Sequence, residues 1–163
     1  MKHWRSNLAL ALSALSLLIV LGQCASDFAS DFNTGLQSEP ELATASQVEA
    51  VAHVTLPPGT VLLSAVYSNG LKTRLVAKFR MPRAALDGFV ASGKFTTQPV
   101  DGLRPVTGKD NLGGGNLWKP EESIKVAGID ESEAPGPEGT YRSVLFGLDD
   151  PDSVLVHLAA TKN

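Results

Sequence analysis

Cysteine is almost absent from this 163-residue chain, with Cys24 standing alone. A single thiol excludes an internal disulfide framework and any all-cysteine zinc or iron–sulfur site. An excess of basic residues is lacking too. Fourteen Lys and Arg face 17 Asp and Glu, for a pI near 5.6, which argues against a general nucleic-acid binder. Histidine is scarce beyond the N-terminus, where only His53 and His157 remain, far apart and with no cysteine near either. No HExxH occurs, and Asp149, Asp150 and Asp152 cluster without the Gly and distal Glu of an EF-hand loop. Turn chemistry accounts for the three aspartates.

Other catalytic templates are missing in the same way. Between Gly102 and Gly108-Lys109 lie five residues where a phosphate loop has four, and Asp110 replaces the Ser or Thr that would meet magnesium. Gly113-Gly114-Gly115 has no strand–helix context for a dinucleotide fingerprint. There is no G-x-S-x-G elbow. The sequence therefore predicts no enzyme, no catalytic residue, no metal and no cofactor.

What is present begins at the N-terminus. Lys2 and Arg5 precede an uncharged run, Leu8 to Leu21, and the first acids after it are Asp27 and Asp31. A basic start, an apolar stretch and small residues form the pattern of a secretory signal. Read on to Ala25, the run reaches 18 residues, the lower limit for a membrane span. Either reading exports the remainder of the chain. Leu21-Gly22-Gln23-Cys24 resembles a bacterial lipobox, with Gln23 where Gly or Ala is expected. That resemblance makes Cys24 the lipidation candidate, since an acyl-glyceryl group there would tether the protein through buried methylenes. Three outcomes stand open for residues 1–24: lipidated signal peptide, retained anchor, or simple secretion.

Residues 25–50 carry five acids and no base among many Ser, Ala and Thr. This composition buries little apolar area and predicts an acidic flexible tether, with a short amphipathic helix around Glu41 to Ala52 as an alternative that no tight periodicity supports. The folded domain is expected over 51–163. Thr60–Ser68 and Leu71–Met81 read as strands around Asn69-Gly70, the signature of a two-residue hairpin turn. Lys72, Arg74, Lys78 and Arg80 alternate with Leu71, Leu75, Ala77, Phe79 and Met81, which predicts one wet face and one buried face. A helix should follow from Pro82 to Gly93, and Tyr141–Leu148 and Ser153–Ala160 read as two more strands. The expectation is a two-layer α+β domain, a small antiparallel sheet in β-β-α-β-β order with one helix across it. The whole chain, with signal, acidic tether and small α+β domain, resembles small bacterial lipoprotein-like or membrane-anchored exported proteins.

Residues 96–139 then form a long loop with eight of the 15 glycines and five of the ten prolines. Loops of that length are usually functional or poorly ordered. Trp118 within it either pins the loop to the core or serves as a partner-binding anchor. Leu71–Lys94 holds six bases and one acid, whereas the chain from Glu121 onward holds nine acids and three bases. The basic row Lys72, Arg74, Lys78 and Arg80 is thus a candidate for meeting an envelope protein or an anionic surface polymer, or else it merely keeps the strand soluble. The leading expectation is an exported, membrane-tethered, non-catalytic interaction domain. The alternative is a small secreted hydrolase or ligand-binding protein with its pocket under the 96–139 loop.

Overall fold

The computed structural model describes residues 38–113 and 117–163. Cys24, the apolar run before it and residues 25–37 lie outside the described residues.

Strand β3 (Thr73–Pro82) shows how the sheet is organised. Leu75, Ala77, Phe79 and Met81 are buried on one face, as their alternation predicts. β3 pairs antiparallel with β2 (Val61–Ser68) on one side and with β7 (Ser153–Lys162) on the other. β7 in turn pairs with β6 (Thr140–Gly147), which pairs with β5 (Val126–Asp130). The short strands β1 (Glu41–Leu42) and β4 (Val100–Asp101) complete one seven-stranded antiparallel sheet, in the order β1-β2-β3-β7-β6-β5-β4. The domain is mixed α+β but mostly sheet. The expected β-β-α-β-β order is corrected by three further strands and a second helix.

The second helix, α1 (Ala45–Ala52), lies where an acidic tether was expected. Thr44 caps it: its Oγ1 accepts from the Gln47 amide, while Gln47 Oε1 accepts from the Thr44 amide. That reciprocal box satisfies donors which would otherwise face water. Val48 and Ala52 are fully buried on the sheet, and Glu49 accepts a hydrogen bond from the Leu56 amide. Upstream, Ser38 exchanges hydrogen bonds with Asn69 and Glu41 pairs with Tyr67. The fold therefore starts by Ser38 and not near Val51. Few apolar side chains are needed, because the segment docks through caps and backbone bonds.

Asn69-Gly70 does not make a two-residue turn. β2 ends at Ser68 and β3 begins at Thr73, so Asn69–Lys72 form a four-residue connection. Asn69 is instead spent on Ser38 and on the Thr73 hydroxyl. The other sequence-predicted hairpin is present, with β6 and β7 joined through Asp149–Asp152 and the Asp150 carboxylate accepting from the Asp152 and Ser153 amides. The predicted helix is also present, as a 3-10 turn (Arg83–Ala85) running into α2 (Leu86–Ser92).

Both helices lie on one face, where Val48 and Ala52 of α1 and Phe89 of α2 share one core with Phe79, Phe146, Val156 and Leu158 of the sheet. Within this layer sits a buried ion pair. Arg142 on β6 meets Glu131, just past β5, with Nε–Oε2 at 2.7 Å. Its Nη1 donates to the carbonyls of Ala52 (3.2 Å) and Gly93 (2.7 Å), at the ends of α1 and α2. The guanidinium also lies 4.2 Å from the Phe95 ring centroid, and Glu131 accepts from the amide and hydroxyl of Thr96.

Two stability measurements follow. Thr44→Ala should lower the unfolding free energy by about 1 kcal/mol in urea titration; a flexible tether would leave it unchanged. Arg142→Met should cost about 3–5 kcal/mol by stranding the Glu131 charge, and adding Glu131→Leu should recover part of that loss.

Candidate functional site

The second face of the sheet is covered by chain between β4 and β5. The approach is close because the strands beneath carry glycine. A Cβ at Gly128 would lie 2.6 Å from the Leu103 carbonyl, and one at Gly147 would strike the Ser123 side chain. Val66, Val76, Val106, Trp118, Val126 and Leu145 form a second apolar cluster there. Asp149 fastens the end of the segment by accepting from the amides of Ile124 and Lys125. The Lys125 amide, most of all, holds its carboxyl below the usual carboxylate range. The expected 96–139 loop is in fact interrupted by β4 and β5 and pressed onto the sheet.

Lys78, on the face expected to be wet, is only 6% exposed. Its Nζ makes an ion pair with Glu122 Oε1 at 2.5 Å and donates to the Leu117 carbonyl at 2.9 Å. Trp118 is 7% exposed, with its Nε1 donating to the Thr107 carbonyl at 2.9 Å. It is the pin of the loop, and its burial removes it as an exposed anchor. Its ring stands edge-on to His157, with centroids 5.2 Å apart.

His157 faces Lys78 across the β3–β7 ladder and is fully buried. Neither of its ring nitrogens has a hydrogen-bond partner. Burial, reinforced by the Lys78 charge, pushes its pKa down to about 4. Glu122, 3.7 Å away, pulls the other way without overcoming burial. The imidazole is therefore neutral at physiological pH and acts as a packing group.

Burial of Lys78 splits the basic row. Lys72 precedes β3 and shares a hollow with Glu133. Arg80 lines another with Asp149 and Asp150, where its charge helps to lower the Asp150 pKa behind two hydrogen bonds from Asp152 and Ser153. Arg74 is half-buried opposite Thr161. The structure brings Lys78 and Trp118 together and sets Lys72, Arg74 and Arg80 among other partners. Among the described residues no group of three His, Cys, Asp or Glu side chains is placed to hold a metal.

A concave site lies elsewhere, along the outer side of α2. A cleft of about 640 Å³ is lined by Leu86, Val90, Phe95 and Leu148 together with the charged Arg83, Asp87, Lys94 and Asp101. From the sequence a helix was expected here and no site. The signal available was the surplus of apolar positions on a short helix, together with the bases at its two ends. No protein-family model, curated protein or solved structure matches the chain.

The His157 environment sets a pH dependence. A histidine free at 6.5 and held to about 4 binds its proton only in the unfolded chain between those values. Its share of stability is complete above pH 6.5 and is lost as pH falls towards 4, on the order of 3 kcal/mol. Urea unfolding between pH 6.5 and 5 should show this slope, and His157→Leu should flatten it.

Proposed function

We propose that the chain is an exported binding domain, held at a membrane surface through residues 1–24 and without catalysis of its own, which takes its ligand in the cleft beside α2. The observation that carries this reading is that cleft, whose volume of about 640 Å³ falls in the range of small-molecule sites, roughly 300–1,000 Å³. Its lining combines apolar side chains with charged ones of both signs, Arg83 and Lys94 beside Asp87 and Asp101, so it offers a ligand both apolar contact and polar groups to orient it.

The state of the polar clusters supports a binding role over a hydrolytic one. A nucleophile needs a base within hydrogen-bond reach. His157 has no such partner, and the His53 imidazole lies 3.8 Å from Glu138, itself paired with Lys162. Lys78 is already neutralised by Glu122. The tether is assigned to residues 1–24 on the pattern of Lys2, Arg5, the apolar run and Cys24. No helix among the described residues is long and apolar enough to cross a membrane.

Two measurements test the proposal. Intact mass and membrane fractionation, in a bacterial host with lipoprotein processing, should show a mature chain beginning at lipidated Cys24, lost in Cys24→Ala. A full-length membrane-bound chain indifferent to that change would make the apolar segment the anchor, and a shorter soluble product would end the tether. A neutral diazirine-bearing octanol should photolabel the α2 cleft of the full chain, and Ala91→Trp, a change at an exposed cleft residue, should suppress the labelling.

A further inference from the structure

We infer that the cleft selects ligands bearing a single carboxylate on an apolar body, and that Arg83 is the group that recognises the carboxylate. This rests on the cleft being the binding site and adds to it the chemistry of the ligand.

Arg83 is the first residue after β3. Its amide donates to the Asp152 carbonyl at 2.9 Å, which fixes its backbone at the end of the β3–β7 ladder. The side chain borders the cleft. Its Nη1 is shielded from water and has no hydrogen-bond partner. Covered guanidinium nitrogens are costly when left without an acceptor, and native structures leave few of them. Arg142 has a buried nitrogen without a hydrogen bond too, Nη2, but that nitrogen lies 2.6 Å from the Glu131 carboxylate, and two carbonyls and an aromatic ring surround the rest of the guanidinium. Arg83 has no such set. Asp87 and Asp101 border the same cleft, yet neither forms an ion pair with it.

The ligand class follows from these neighbours. A guanidinium fork matches a planar carboxylate bidentately and remains charged at any physiological pH. Leu86, Val90, Phe95 and Leu148 in the lining offer a hydrocarbon body a surface to leave water for. Asp87 and Asp101 oppose a multiply charged anion such as a phosphate monoester, while a monoanion meets a rim whose charges otherwise balance against Arg83 and Lys94. The fit is to a medium-chain or aryl-substituted carboxylic acid.

The test compares a diazirine-bearing octanoic acid with the matched octanol, both below micellar concentration, on the full chain, with labelled peptides mapped by mass spectrometry. The acid should label the Arg83–Asp101 segment more efficiently than the alcohol. Arg83→Gln should reduce labelling by the acid about tenfold, the worth of a charge-assisted hydrogen bond, and leave labelling by the alcohol unchanged. Arg83→Lys should retain part of the preference. Alcohol labelling is the internal measure that each variant keeps a folded cleft. If acid and alcohol label alike and Arg83→Gln changes neither, the carboxylate inference falls while the cleft stands. If neither probe labels the cleft, both fall.

Discussion

The guanidinium of Arg142 has been taken out of water, and a charge so placed is tolerated only if every side of it is met. Meeting it recruits distant parts of the chain: the carbonyl ends of α1 and α2, the carboxylate beyond β5 and the ring of Phe95. Each helix is short, eight residues in α1 and seven in α2, too short to persist alone in water. Their positions are set by tertiary contacts, of which this one is shared by both. The wall of the α2 cleft, from Val90 to Phe95, therefore inherits its geometry from a side chain that does not line it.

The two faces of the sheet are covered by different means. One receives helices and a large apolar cluster with three phenylalanines packed edge-on or tilted around Phe89. The other receives irregular chain, which brings polar backbone with it and must be satisfied bond by bond. Lys78 serves this purpose, taking the Leu117 carbonyl and the Glu122 carboxylate together, and Asp149 does so at the far end. Irregular structure can lie close to a sheet only where the strands leave space, which is the contribution of Gly128 and Gly147.

The longer strands were legible in the sequence. Alternation marks β3, runs of β-forming residues mark β2, β6 and β7, and the Asp-rich turn between β6 and β7 is where its residue types place it. β5 was not legible, because Val126-Ala127-Gly128-Ile129-Asp130 is short and its glycine reads as loop until the overlying chain is known. α1 left a local signal in Thr44 and Gln47 that its weak periodicity obscured. The basic row misled for a physical reason. Alternation reports which residues share a face, not whether that face is later covered, so Lys78 and Trp118 could be placed only once the loop was seen to lie on the sheet. The cleft escaped because the apolar part of its lining uses the same residue types as a core.

The sheet is joined through the middle by β7, which pairs with β3 on one side and β6 on the other. In chain order β7 follows every other strand. The β1-β2-β3 and β6-β5-β4 halves thus have no ladder connecting them until that strand has emerged, and each would expose a row of unpaired backbone groups in the meantime. A domain assembled in this order closes late and all together.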